Sequence, residues 1–176
     1  MSFRGVAIIF LLAGVAAGCA EKQSIAPNAR PGDTVHRVDR VIVRKGERRL
    51  LLMHGSDTLR SYHVELGLNP TGRKEQSGDS RTPEGTYRLG HRNAHSDYFL
   101  SIQVSYPNAA DLERARAHHW DPGGSIMIHG MPNHLKRAPK YYESHDWTDG
   151  CIAVSNADMT EIWRLTPENV SIEILP

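Results

Sequence analysis

Short runs of alternating apolar and polar residues recur along the chain. The stretch RVIVRKGERRLLLM at 40–53 contains two runs joined by a turn at Lys45–Gly46, and TLRSYHVEL at 58–66 continues the series after a second turn. Alternation with period two is typical of half-buried strands, and a short turn between two runs predicts a hairpin. This part of the sequence is therefore predicted to form a β-meander.

The second half of the chain combines further strand-like runs with two helical segments. One helix is predicted to start at Asn108 as N-cap and to stop before Pro122, and the other to follow a cap at Ser155 or Asn156. Strands are predicted within GTYRLGHRN (85–93), YFLSIQVSYP (98–107), SIMIHG (125–130), CIAVS (151–155) and VSIEILP (170–176). Two long polar loops, 67–85 and 131–150, separate these elements and are expected to be functional or mobile.

The order of elements favours one fold class. About eight strands are predicted against two short helices, and the pattern contains neither a βαβ rhythm nor an internal repeat. This arrangement is typical of a mainly β domain with two short helices, built as a sandwich or a partly closed barrel.

The N-terminus differs from the rest of the chain. Arg4 precedes an apolar run from Val6 to Val15, and small residues follow up to Cys19. This is typical of a secretory signal, too short for a permanent membrane span, and its end resembles a bacterial lipobox. We therefore predict a signal peptide at 1–19 with lipidation of Cys19, a flexible tether at 20–37 and a folded domain at 38–176. The alternative is ordinary cleavage near Ala20.

These segments predict where the protein works. A lipidated Cys19 would anchor the domain in the periplasm, and a residue other than aspartate at position 20 favours the outer membrane. Membrane contact is expected through the lipid alone.

Composition argues against several classes of partner. The 21 Lys and Arg residues nearly balance 20 Asp and Glu, and no basic stripe is interleaved with aromatic residues, so no nucleic acid partner is expected. Ten histidines raise the question of a metal, but the sequence has no HExxH, CxxC or HxH pattern. Nucleotide-binding glycine patterns are missing as well. We expect no metal and no cofactor.

The cysteine count singles out Cys151. If Cys19 carries lipid, Cys151 has no partner in the chain, and an unpaired thiol in an oxidising compartment is either reactive, an intermolecular site or buried and inert. It follows Gly150, and consecutive backbone N–H groups at Gly150 and Cys151 are expected to form an oxyanion hole. A nucleophilic thiol also needs a base. His129 ends a strand in a similar setting, and His145, in the loop before the cysteine, is the reserve candidate.

These motifs carry a resemblance. IMIHG, a loop and then TDGCIAV resemble the YkuD-type L,D-transpeptidase domain, whose signature pairs His-Gly with a later Ser/Thr-His-Gly-Cys. GDSRTPEGTY at 78–87 is similar to the family's Thr-Pro-x-Gly hairpin. The likeness runs from about Val38 to the C-terminus and is strongest to the branch of small periplasmic murein L,D-transpeptidase-like proteins. It implies the family's β-rich fold.

The resemblance assigns roles position by position. Cys151 matches the nucleophile, His129 the general base followed by Gly130, Gly150 the residue before the nucleophile and Thr148 the Ser/Thr position.

Two positions depart from the family pattern. Asp149 stands where many members have histidine, and Ala153 where many have arginine. A substrate carboxylate would then be recognised by Arg73, Lys74, Arg81 or another loop residue. Asp149 is expected either to orient a neighbour or to be a solvated turn residue. The aromatic residues Trp147, Tyr141 and Tyr142 are expected either to wall the cleft or to pack the loop against the domain.

The implied activity is acyl transfer through a thioester. The substrate would be a peptidoglycan stem peptide, and the product a cell-wall cross-link or an attached protein. One alternative is a hydrolase, of the L,D-carboxypeptidase or amidase type, acting on the stem peptide or on a murein–lipoprotein link. A lipoprotein is thus a candidate acceptor or substrate. A further alternative is an envelope-binding lipoprotein without catalytic activity.

Overall fold

The computed structural model describes residues 37–176, so the signal segment with Cys19 and all but the last residue of the tether lie outside the described residues. Eight strands and three helices follow in chain order: β1 Arg40–Arg44, β2 Arg49–His54, β3 Asp57–His63, β4 Gly85–Ser96, β5 Phe99–Val104, α1 Ala109–His118, β6 Met127–His129, α2 Pro139–Tyr142, β7 Ile152–Ala153, α3 Asn156–Leu165 and β8 Ser171–Leu175.

The strands form a sheet in the order β3-β2-β1-β8-β4-β5-β6-β7. The long strand β4 joins its two halves, because residues from Gly85 to Arg88 pair with β8 whereas later residues pair with β5. The ends of the sheet approach each other through isolated bridges, Glu65 to Ala153 and Gly67 to Thr148, without a continuous ladder. The predicted mainly β, partly closed fold is confirmed.

The core lies between the curved sheet and α3. Alternate residues of β8 point inward, the other strands add further buried residues, and α3 adds Met159 and Ile162. The fully buried side chains include Leu50, Leu52, Leu89, Ile102, Ile128, Ile152, Ile172 and Ile174. Burial of each such side chain contributes about 1.5–3 kcal/mol, so apolar packing holds the strands that carry the site in place.

Capping residues set the boundaries of the two longer helices. Asn108 and Asp111 form a capping box at the start of α1, and the Oγ of Ser155 accepts from the N–H of Asp158 at the start of α3. Both helices thus begin where the sequence predicts. The four-residue helix α2 was not predicted. It starts at Pro139 after Ala138, which makes no side-chain capping bond.

A buried lysine fixes the base of the first long loop. The Nζ of Lys45 donates to the carbonyl oxygens of Gly72 at 2.6 Å and Thr82 at 3.0 Å, and pairs with Glu84 at 2.8 Å. Burial lowers the pKa of Lys45, and Glu84 opposes this shift. All three donors of the ammonium group are used, so both ends of the loop are tied to the end of β1.

A second buried ion pair organises the middle of the same loop. Lys74 contacts the carboxylate of Asp79 at 2.7 Å, and Asp79 also accepts from the backbone N–H groups of Glu75, Gln76 and Arg81. Burial by itself would raise the pKa of Asp79, but these hydrogen bonds bring it below its ordinary value. The loop therefore has an ordered polar centre.

Candidate active site

His129 ends β6, Cys151 directly precedes the neighbouring strand β7, and both residues line one cleft. Strands β6 and β7 are parallel, with Ile128 opposite Ile152 and His129 opposite Ala153. Ile128 and Ile152 point into the core, so the residues next to them point to the other face of the sheet. The cleft on that face measures about 200 Å³ and is lined by Ser96, Tyr98, Ser101, Met127, His129, Trp147, Thr148, Asp149 and Cys151.

The imidazole of His129 is held as a neutral base. Its Nδ1 lies 2.7 Å from the carbonyl oxygen of Gly130, and since that oxygen can only accept, Nδ1 carries the proton and Nε2 does not. Burial lowers the pKa of His129 to about 4, and the bond to Gly130 opposes the shift. The rings of Tyr98 and Trp147 pack around it at centroid distances of 4.6 and 5.5 Å. At neutral pH, Nε2 is therefore a free acceptor.

The thiol of Cys151 is unpaired and rests in its protonated form. Burial raises its pKa, the backbone N–H of Met127 and the charge of Lys74 lower it, and the charge of Asp149 raises it further. The Sγ donates to the carbonyl oxygen of Ser125 at 3.6 Å. A raised pKa means that attack by this sulfur requires a base to remove its proton.

Thr148 shapes the turn that presents the cysteine. Its Oγ1 donates to the carbonyl oxygen of Cys151 at 2.8 Å and accepts from the N–H of Gly150 at 3.1 Å. The Gly150 N–H is therefore engaged inside the turn, which contradicts its predicted use as an oxyanion donor in this conformation. The N–H of Cys151 stays the predicted donor.

Gly150 is required by its conformation and by its surroundings. Its φ is +121°, a region that side chains rarely adopt, and a β-carbon would lie 2.5 Å from the carbonyl oxygen of Arg81. Gly130 is equally confined, since a β-carbon there would lie 2.6 Å from the Oδ1 of Asn156 at the start of α3. Gly150 thus allows a close approach of the backbone of Arg81, and Gly130 allows a close approach of the side chains of Asn156 and Phe99.

The other predicted site residues separate into two groups. Trp147 and Asp149 line the cleft, whereas Tyr141 lines an adjoining groove. His145 stacks on Tyr141 at a centroid distance of 4.7 Å and contacts the Oγ of Ser144 with its Nδ1. It does not line the cleft, so the structure does not support the reserve role as base.

The cations predicted to recognise a carboxylate are also elsewhere. Arg73 lines a separate cavity of about 350 Å³ with Glu84 and Asp111, and Arg81 pairs with Glu75 at 3.2 Å. Lys74 is buried against Asp79. None of the three lines the cleft around Cys151.

Ala153 occupies the position at which the resemblance predicts an arginine. It is buried, and its backbone exchanges hydrogen bonds of 2.8 and 2.9 Å with Glu65. The side chain of Glu65 contacts His63 at 2.9 Å, and burial raises the pKa of Glu65 although His63 opposes this. Glu65, Glu143 and Asp158 line the same pocket as Ala153, so its surroundings are rich in carboxylates.

Several cleft residues were not predicted from the sequence. Ser96 ends β4, Tyr98 lies in the turn between β4 and β5, Ser101 pairs with His129 across β5 and β6, and Met127 opens β6. Only Ser101 and Met127 follow from knowing which strands are neighbours. No motif marks Tyr98.

Candidate metal sites and membrane-spanning helices are both missing from residues 37–176. No group of three or more His, Cys, Asp or Glu side chains in this range is placed to hold a metal ion. None of the helices in the same range combines the length and apolar character needed to cross a bilayer.

Comparison with known sequences gives consistent matches. The sequence model of the YkuD family, described as an L,D-transpeptidase catalytic domain, matches residues 38–174. The chain is also 30% identical over 124 residues to YafK of Escherichia coli (strain K12), provisionally named an L,D-transpeptidase. That match covers 69% of this chain and 40% of the relative, so the chain spans about two fifths of the curated proteins that it matches.

Solved structures give a similar result. The helical cell shape determining protein Pgp2 of Campylobacter jejuni, in a variant form, superposes with a TM-score of 0.59 and 25% identity, covering 78% of this chain and 46% of the other. The L,D-transpeptidase of Xylanimonas cellulosilytica gives a TM-score of 0.51 at 18% identity, covering 83% and 64%. The second likeness concerns the fold alone.

Proposed function

This chain belongs to the YkuD family of L,D-transpeptidase catalytic domains, and on that premise we propose that it is a cysteine-dependent L,D-transpeptidase acting on peptidoglycan stem peptides. The observation that carries the proposal is the shared cleft of Cys151 and the neutral His129. A thiol with raised pKa beside an imidazole with a free Nε2 is the pairing that general-base activation of a nucleophile requires.

The first half of the reaction forms a thioester. As the peptide enters, Nε2 of His129 takes the thiol proton and the sulfur attacks the amide carbonyl at the L-centre of diaminopimelate. The N–H of Cys151 donates to the oxygen that becomes negative. The intermediate collapses when the imidazolium returns its proton to the leaving D-amino acid, which departs as a free amine, and the acyl group stays on sulfur.

The second half releases the acyl group. An amine from another stem peptide or from a protein enters the cleft and loses a proton to His129 while its nitrogen attacks the thioester carbonyl. The C–S bond breaks, the thiol regains its proton, and a new amide remains. If water replaces the amine, the same steps give a free carboxylate.

Mass spectrometry of the protein tests the first half. Incubation with disaccharide-tetrapeptide should add to Cys151 the mass of the donor less its terminal D-amino acid. The Cys151→Ala variant should gain nothing, and His129→Asn should gain the adduct at least about a hundredfold more slowly, because general-base catalysis contributes roughly 10²–10⁴ in rate. An adduct that persists in Cys151→Ala would remove the nucleophile assignment. A wild-type protein that gains no mass would favour an envelope-binding lipoprotein without activity.

Product analysis separates transfer from hydrolysis. Ala153 in place of the common arginine is the feature that keeps a hydrolase, acting on the stem peptide or on a murein–lipoprotein link, as the second candidate. With an amine acceptor present, a transpeptidase gives cross-linked product in proportion to the acceptor. A product that remains the free acid at every acceptor concentration would instead establish hydrolysis.

We also infer that the protein works in the periplasm, held at the outer membrane by lipid on Cys19. The inference rests on the sequence of residues 1–19. Metabolic labelling with a radioactive fatty acid should mark the wild-type protein and not a Cys19→Ala variant. Equal labelling of the two would exclude Cys19 as the site.

A further inference from the structure

The catalytic cleft opens beside a larger groove. Tyr98 and Trp147 line both spaces, and their rings stack with centroids 5.9 Å apart. The cleft holds about 200 Å³, less than the roughly 300–1,000 Å³ usual for ligand sites, whereas the groove holds about 540 Å³. A peptide that reacts at Cys151 therefore needs space beyond the cleft, and the groove offers it past the aromatic pair.

Positive charge near the cleft is concentrated in this groove. Among the described residues that line the cleft, none is lysine or arginine, and Asp149 contributes a carboxylate. The groove is lined by Lys136 and Arg137 together with His134, against one carboxylate, Asp97. A negatively charged ligand group is thus repelled beside Cys151 and attracted in the groove.

The two cations of the groove are exposed and, among the residues that the structure describes, are not paired with a carboxylate. Within residues 37–176, neither Lys136 nor Arg137 takes part in an ion pair. The guanidinium of Arg137 lies 5.8 Å from the ring centroid of Tyr141, and the backbone N–H of Lys136 donates to the hydroxyl of Tyr142 at 3.0 Å. The segment is positioned by aromatic contacts that leave both charged heads available.

Other cations around the site are already paired. Lys74 binds Asp79, Arg81 binds Glu75, and Arg48 contacts Asp146, next to Trp147, at 2.6 Å. Ala153, at the position where the resemblance predicts an arginine, offers no charge. A carboxylate of the reacting peptide therefore needs a cation elsewhere.

We propose that Lys136 and Arg137 bind a carboxylate of the peptide that reacts at Cys151, and so act as specificity-determining residues. The inference rests on the proposed function, since it takes the reacting peptide as the occupant of the groove. The planar guanidinium matches a carboxylate with two parallel hydrogen bonds, and the ammonium adds a second charge-assisted donor.

Equilibrium binding to a Cys151→Ala protein tests the groove without any chemistry. Titration calorimetry would compare disaccharide-tetrapeptide with the same compound after amidation of its carboxylates. Adding Lys136→Gln and Arg137→Gln should weaken binding of the acid roughly 10- to 100-fold and leave binding of the amide unchanged. Arg137→Lys keeps the charge without the planar guanidinium. Its affinity for the acid should lie between that of the Cys151→Ala protein and that of the variant lacking both cations.

A matched control removes two charges elsewhere. Arg116 and Arg164 are exposed on α1 and α3 and line none of these cavities, so replacing both with glutamine should leave the affinity for the acid unchanged. Equal losses for the acid and the amide would contradict the proposal, as would a Cys151→Ala protein that binds neither compound.

Thioester formation on the wild-type thiol distinguishes this inference from the reaction itself. If the acid binds as expected but no adduct forms, the groove assignment stands and the proposed chemistry fails. If the variant lacking both groove cations acylates with unchanged KM and unchanged kcat, the chemistry stands and the groove assignment fails.

Discussion

The carbonyl oxygen of Arg81 lies 2.5 Å from the point where Gly150 would carry a β-carbon. The first long loop and the turn before Cys151 therefore touch backbone to backbone. Because Asp79 and two buried lysines hold that loop, the position of Cys151 depends on residues that never reach the cleft.

Gly150→Ala should disable the site and destabilise the fold. The added methyl group meets a carbonyl oxygen and the backbone has φ of +121°, so we expect a loss of roughly 2–4 kcal/mol in the free energy of unfolding together with loss of acylation. Urea denaturation measures the first effect. Gly124→Ala is the matched control, because a β-carbon there meets no atom within 4 Å, and it should change stability by less than about 0.5 kcal/mol.

Lys74→Met should loosen the loop behind Gly150. It leaves the carboxylate of Asp79 buried with only backbone donors, which should cost about 2–4 kcal/mol and slow acylation by displacing Arg81. Denaturation and adduct formation report the two effects. Glu47→Gln, which breaks the exposed pair with Arg44, should cost at most about 0.5 kcal/mol. Equal costs for the two variants would show that the buried pair has no special role.

Thr148→Val should disrupt the turn of residues 148–151 although it preserves the volume of the side chain. The N–H of Gly150 and the carbonyl of Cys151 both lose their partner, a change that costs about 1–3 kcal/mol. Thr148→Ser keeps the hydroxyl and should retain both stability and acylation. If valine and serine behave alike, the hydroxyl does not hold the turn.

His129 should make the stability of the protein depend on pH. Its pKa of about 4 in the folded protein lies below the ordinary 6.5, so the unfolded chain binds the additional proton between these values. The stability that the folded protein gains from keeping His129 neutral is fully present above about pH 6.5 and is lost as the pH falls towards about 4. We expect about 2 kcal/mol less stability at about pH 4.5 than at about pH 7.

His129→Asn should remove this dependence, because its amide does not titrate and still offers a donor to Gly130. The exposed His95→Asn variant serves as the control and should keep the wild-type dependence. Urea midpoints at the two pH values give the comparison. A wild-type slope in His129→Asn would show that another group is responsible.

The rate at which iodoacetamide alkylates Cys151 should rise with pH as expected for a thiol of elevated pKa. Burial raises that pKa and Asp149 raises it further, so the rate should keep increasing with pH beyond the ordinary thiol range, without a plateau near neutrality. Asp149→Asn removes one negative charge and should speed alkylation a few-fold at about pH 7. Asp57→Asn, on the exposed strand β3, should have no effect. A neutral-pH plateau would indicate a thiolate–imidazolium pair instead.

Local signals made most of the elements predictable. The turn at Lys45–Gly46, the cap at Asn108 and the cap at Ser155 each depend on nearby residues, and each appears where expected. Helix α2 escaped prediction because it is four residues long and depends on packing of the buried Tyr142 rather than on a capping residue.

Only the pair of His129 and Cys151 could be predicted from the sequence. His129 ends β6 and Cys151 directly precedes β7, so their proximity follows once β6 and β7 are taken as neighbours. Tyr98 enters from a turn whose position depends on the pairing of β5, which no local pattern encodes. The sequence could not distinguish the cations that face the groove from those in ion pairs, because an ion pair such as Arg48 with Asp146 joins residues far apart in sequence.

The central position of β8 in the sheet has a consequence for the order in which the domain folds. Ser171–Leu175 lies between β1 and β4, in parallel register with Arg40–Arg44. Pairings of such long sequence separation slow folding, since a large loop must close before any contact forms. The meander β1–β3 can form first, but one edge stays open to other chains until the last strand arrives. We expect the unfolded polypeptide to be most prone to aggregation, and most in need of a chaperone, during that interval.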